Sequence, residues 1–231
     1  MSAAAHASHS QRLQAKIALL RPKVEAATRR LWAAPDPAAR YRDYLCAMHA
    51  VARAAVPLME AALARARALA PRDPVAAGLV PWLRRHIPAE RGHDEWLRQD
   101  LAAAGADPDE PLRRLLPPAV AELVGAQYCW VLHDHPVALL GHAAVLEGNP
   151  PPRQLGAWLA GRTGLPRAAF RTIERHAVLD RRHGAEVAAA LDALPLSPRD
   201  SALVGLSALH TLRALIRLFE ALARPSQPGA A

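Results

Sequence analysis

With 231 residues, a mass of 24.8 kDa and a formal net charge of +8, the chain is long enough to bury one sizeable core without disulfide or metal staples. Hydrophobic residues make up 52%, much of it alanine, while aromatics are only 4%; that mixture favours helices and leaves little material for a sheet. The positive charge is almost entirely arginine, with Lys16 and Lys23 the only lysines, and it is spread along the chain without interleaved aromatics, so no nucleic-acid partner is expected. Cys46 and Cys129 lack C-x-x-C spacing and read as buried thiols of a reducing compartment. The start, MSAAAHASHS, has no apolar h-region, and no stretch of about 18 apolar residues is evident. No membrane partner is therefore expected, and the location is expected to be cytoplasmic.

Prolines and glycines cut the chain into helical blocks. Residues 1–9 and 225–231 are expected to be flexible ends around one helical domain, 10–224. The first block covers 10–33, with a candidate restart at Pro22. Pro35-Asp36-Pro37 turns into a long block, Tyr41 to Ala70, in which Pro57 should kink the helix. Pro74 opens the next block at its first turn, and this runs to Ala104 before Gly105, a favourable residue just past a helix end. A loop over 105–118 precedes a helix to about Asp134, and another follows from Pro136 to Gly148. Residues 153–163 form a short helix and 167–194 a long one. Ser197-Pro198-Arg199-Asp200 is a start signature, with Ser197 as cap and Asp200 completing the box. In the last helix Leu203, Leu206, Leu209, Leu212, Ile216 and Phe219 form one apolar stripe. The sum is an all-α bundle of seven or eight helices.

The chemistry is concentrated in two motifs. His176, Asp180 and His183 are spaced by four and three, which at about 100° per residue returns all three to one helix face. Imidazole and carboxylate together suit iron, manganese or zinc. Upstream, His86, Glu90 and His93 repeat the pattern, and random placement would yield only roughly 0.05 such patterns per chain. Pro88 falls inside this second motif and should kink or start a helix there, which favours Glu90 and His93 over His86. A dinuclear site needs a further bridging carboxylate. Glu147 is the candidate, because it ends the apolar run Leu139, Leu140, Val145, Leu146, where an acid is costly without a cation. Glu60 and His86 are candidate additional ligands. His133, His135, His142 and His49 fit core or surface roles better, and Trp82, Trp96, Trp130 and Trp158 read as core or pocket walls.

Three segments, AERGHDEWLRQDL (89–101), HPVALLGHAAVLEG (135–148) and HAVLDRRH (176–183), resemble the heme-oxygenase-like diiron oxidase and oxygenase superfamily of iron-containing redox enzymes. The resemblance runs from about Arg21 to Ala193. It implies a heme-oxygenase-like bundle with two Fe(II)/Fe(III) ions held by Glu90 and His93 on one helix, Glu147 on the next, and His176, Asp180 and His183 on a third. It also implies O2 as co-substrate and oxidation of a small organic metabolite, by N-oxygenation, C–C cleavage or desaturation, in specialised metabolism. An electron donor such as a ferredoxin or flavin reductase and a homodimeric state are further expectations of this kind.

Other members of the fold set the alternatives. Heme oxygenases bind heme through a histidine on their first helix, whereas ATRRLW (27–32) has Trp32 where that histidine is expected. Thiaminase-like relatives need a nucleophilic cysteine, and neither Cys46 nor Cys129 has a recognisable context for one. A heme-binding or other metal-dependent relative, and a non-catalytic helical binding protein, remain as rival readings.

Overall fold

The computed structural model describes residues 7–224, so most of the two expected flexible ends (1–6 and 225–231) lies outside the described residues. Among the described residues there are helices and no strands: α1 (His9–Ala18), α2 (Arg21–Ala33), α3 (Pro37–Leu69), α4 (Pro74–Glu90), α5 (His93–Ala103), α6 (Glu110–Arg113), α7 (Pro118–His133), α8 (Ala138–Leu146), α9 (Leu155–Thr163), a 3₁₀ turn (Arg167–Phe170), α10 (Arg171–Ala193) and α11 (Pro198–Ala223). Eleven α-helical segments replace the expected seven or eight. Block 10–33 breaks at Leu19–Leu20, the block after Pro74 breaks at Arg91–Gly92, and 105–118 contains the single turn α6.

The starts follow side-chain chemistry. Ser197 caps α11 and exchanges hydrogen bonds with Asp200 in the expected box, and Asp73 caps α4 ahead of Pro74. α1 starts one residue earlier than the expected domain boundary, because Ser8 caps it in a box with Gln11. Ser8 and Ser10 also bond the Asp192 carboxylate near the end of α10. Pro57, Pro81 and Pro88 all lie inside helices that continue past them.

The centre of the bundle is α8. Seven of its nine residues are alanine, leucine or valine, the others being Gly141 and His142, and all but Leu146 are buried. Gly141 lets α11 lie directly on it, since a Cβ there would stand 2.1 Å from the Val204 carbonyl oxygen. α11 also packs on α2 and α7, and α3 on α4, α5 and α7. α3 and α11 are long and apolar enough to cross a membrane by length and composition, contrary to the sequence reading; so are many core helices, and both have these helical neighbours. A second core gathers Trp32, Tyr41, Leu45, Leu101, Phe170 and Ile173, anchored where the Tyr41 hydroxyl donates to the Ala169 carbonyl at 2.7 Å. Between these cores lies the site.

Candidate metal centre

α4, α5, α8 and α10 each bring ionisable side chains to one buried region. Glu90 is the last residue of α4 and His93 the first of α5, so this pair does not share a helix as expected. Gly92, at φ +85°, turns the chain between them, a conformation that costs other residues about 1–2 kcal/mol. The turn leaves Glu90 Oε2 3.1 Å from His93 Nδ1. α4 runs unbroken through Pro88, so His86, four residues before Glu90, faces the same region. The expected break at Pro88 is absent, and His86 is buried, with Nε2 3.1 Å from both Glu147 carboxylate oxygens and 3.9 Å from Glu90 Oε1.

Glu147 closes α8 and is buried. Two glycines make its position reachable. At Gly148 a Cβ would stand 2.2 Å from the Ala144 carbonyl oxygen, and at Gly184, on α10, a Cβ would stand 3.0 Å from the Glu147 carbonyl oxygen. Gly148 lets the chain turn tightly as α8 ends, and Gly184 gives that end room to lie close on α10. Along α10 the four-and-three spacing holds. His183 Nδ1 lies 3.2 Å from Glu90 Oε1 and 3.9 Å from Glu147 Oε2. His176 donates Nδ1–H to the Thr172 carbonyl at 2.8 Å, which leaves Nε2 with its lone pair. The ring of His176 stands edge-on to that of His93, with centroids 5.0 Å apart. Asp180, also buried, lines the same cavity as Glu90, His93, Glu147 and His176.

Among the described residues no arginine or lysine forms an ion pair with Glu90, Glu147 or Asp180, although Arg182 Nη2 lies 3.3 Å from His183 Nε2. Burial raises the Glu147 carboxyl above its usual range, with Glu90 adding to the effect. Burial, then the negative charges of Glu147 and Glu90, pushes Asp180 up to about 7. Burial also works to raise Glu90, but the imidazoles of His183 and His93 outweigh it and hold that carboxyl well below the usual range. Glu90 in turn raises His183, while burial lowers His176. Glu147 Oε2, His86 Nδ1 and His93 Nδ1 are buried without a hydrogen bond, so the close His93–Glu90 and His86–Glu147 approaches do not satisfy these atoms. Buried polar atoms rarely stay unpaired. A divalent cation would satisfy lone pairs and offset carboxylate charge at once. The donor set fits iron: one oxygen or nitrogen from each of His86, Glu90 and His183 already lies within 4.8 Å of the others.

Glu60 does not join them; it is exposed and paired with Arg91 at 2.7 Å. Among the other residues singled out, Trp82 stacks on His86 at 4.8 Å and Trp96 on His93 at 4.2 Å, so both wall the site. Trp158 and Cys129 are exposed rather than buried. Cys46 is buried and lies outside the cavity, its thiol pushed up to about 11, mainly by burial.

The chain belongs to the family of iron-containing redox enzymes. That family's model matches residues 85–215, more than half of the chain and all seven clustered side chains. Two of the solved structures that share the fold illustrate it. A domain of unknown function with a heme oxygenase-like fold from Shewanella denitrificans OS217 superposes with a TM-score of 0.76 at 16% identity, covering 91% of this chain and 90% of its own. A TenA homolog from Pseudomonas syringae pv. tomato DC3000 gives 0.63 at 16% identity, covering 89% and 90%. Curated proteins yielded no match. The expected all-α, heme-oxygenase-like fold is thus the observed one.

Opening onto the cluster is a cavity of about 880 Å³, walled largely by apolar side chains such as Leu31, Met48, Leu58, Leu139 and Phe219. Trp32, where the resemblance places a heme-ligating histidine, is one of its walls, edge-on to Tyr44 at 5.1 Å.

Proposed function

We propose that this iron-containing redox enzyme family member is a non-heme diiron, O2-dependent oxidase or oxygenase acting on a small organic metabolite. The observation that carries the reading is the convergence of buried Glu147, Asp180, His86, His93 and His183 with half-buried Glu90 and His176 beside an apolar cavity. Glu90, His93, Glu147, His176, Asp180 and His183 would hold two irons. Three carboxylates offset most of the charge of two ferrous ions, and six ligand residues leave open positions. What two ferrous ions supply when bound is electrons for dioxygen and Lewis acidity toward it.

The protein's own groups do the rest. Glu147 reaches in from the end of α8, between the α4–α5 turn and α10, and would hold iron between the ligands of those two elements. The Thr172 carbonyl fixes the ring of His176 by taking its Nδ1–H, which raises the basicity of the nitrogen left for metal. Trp82 and Trp96 cover His86 and His93 and keep water from that side. The apolar walls exclude water from a bound substrate. Electrons beyond those stored in the irons would come from a separate donor such as a ferredoxin or flavin reductase. A cytoplasmic, homodimeric protein without nucleic-acid or membrane partners completes the proposal.

The test is optical. Anaerobic protein loaded with ferrous iron should change its absorption when O2 is admitted, and Asp180→Ala should not. A colourless, O2-insensitive protein would contradict the reading. A Soret shift on titration with heme would replace it with the heme-oxygenase alternative, against which Trp32 stands.

A further inference from the structure

The cavity has a second polar feature, on α8 one and a half turns before Glu147. His142 lines the cavity, is 93% buried, and is the one polar side chain of α8. Its Nδ1 lies 3.0 Å from Thr211 Oγ1 on α11. That hydroxyl has one hydrogen, donated to the Ser207 carbonyl at 2.9 Å, so toward its other neighbours it can only accept. The Gln127 amide donates to it at 3.2 Å, and Gln127 is held in that orientation because the Ser207 hydroxyl donates to its Oε1 at 2.9 Å. Thr211 therefore accepts from His142 as well, and the imidazole carries its proton on Nδ1. Nε2 is left as a bare acceptor with no partner among the described residues. Burial, with His210 adding, lowers this imidazole to about 4, so it stays neutral near pH 7.

We infer that His142 is a ligand-binding residue: its Nε2 receives a hydrogen bond from a hydroxyl or N–H carried by an otherwise apolar compound that fills the cavity. The five residues from His142 to Glu147 rise about 7.5 Å along the helix axis, so the donor group is held at a separate point of the cavity from the metal cluster. An apolar compound anchored there presents a different, fixed carbon to the cluster, which sets where it would be oxidised. Reading the ligand as substrate rests on the proposed oxygenase function; the hydrogen bond does not.

The test uses two probes of matched shape, 2-naphthol, which can donate, and 2-methoxynaphthalene, which cannot. By calorimetric titration 2-naphthol should bind about tenfold more tightly, the worth of one buried neutral hydrogen bond. His142→Phe, which keeps the volume, should abolish that preference while ferrous uptake and melting temperature stay unchanged. In the metal-free chain, long-range ¹⁵N–¹H spectra should show the His142 proton on Nδ1. Equal binding of the two probes to the unaltered protein, a preference that survives in His142→Phe, or a proton on Nε2 would each overturn the inference. Failure of iron binding with the naphthol preference intact would instead overturn only the metal reading.

Discussion

The two histidine–carboxylate–histidine motifs share one spacing and have different local structures. In 176–183 an unbroken helix carries all three side chains to one face, as periodicity requires. In 86–93 the helix stops after Glu90, turns at Gly92 and restarts at His93. Both end at the same cluster, with Glu90 Oε1 3.2 Å from His183 Nδ1. Equal spacing therefore means equal geometry only while the helix persists. Where it breaks, a glycine of positive φ must do what periodicity does elsewhere. The first motif is robust by repetition, and the second depends on one turn.

That contrast can be broken at several points. The largest effect belongs to α10: Asp180→Ala or His183→Ala should weaken ferrous binding by roughly 100-fold or more, beyond the 10- to 100-fold typical of residues that only support ligands, with helical circular dichroism unchanged. Unaltered iron affinity in Asp180→Ala would remove α10 from the site. Next is the carboxylate that joins the motifs. Glu147→Gln keeps shape and drops charge, so it should cut iron occupancy sharply, whereas Glu174→Gln, at a surface pair with Arg167, should leave it intact. His86→Ala should cost about 10- to 100-fold in affinity if this imidazole only orients Glu147; a loss as large as that of His183→Ala would make it a seventh ligand.

A pH effect follows from Asp180. Its folded value, about 7, exceeds the ordinary 3.8, so without metal the fold holds this proton while the unfolded chain releases it. The resulting stability falls as pH rises from about 4 to about 7. A cation needs the ionised carboxylate and reverses the trend. The rise in melting temperature on adding ferrous iron should therefore be larger at about pH 8 than at about pH 5.5, and an equal rise at both would deny Asp180 a part in binding. The smallest effect falls on the turn. Gly92→Ala has free space for its Cβ but an unfavourable φ, and should lower the melting temperature by about 2–4 °C, from about 1 kcal/mol. No change would mean that the turn relaxes freely.

What could be read in advance follows the same line. Caps and periodicity are local, so the Ser197–Asp200 box, the Pro74 start and the face of His176, Asp180 and His183 were all legible. That the end of α8 packs against Gly184 was not legible, because the contact joins residues distant in sequence. The break at Arg91–Gly92 was not legible, because RGHDEW has helix formers on both sides of one glycine. Pro88 signals a break by its local chemistry, yet it lies inside α4, where Leu83, His86 and Ile87 are buried and tertiary packing holds the helix together. His142 was missed as a cavity residue because its significance lies in Thr211, Ser207 and Gln127, which are distant in sequence.

The most direct test of the diiron account is a count of metal. Anaerobic protein titrated with ferrous iron should saturate at about two ions per chain, and the Asp180→Ala protein at fewer. Saturation at a single ion in tetrahedral geometry would contradict the account, and would point to a mononuclear site.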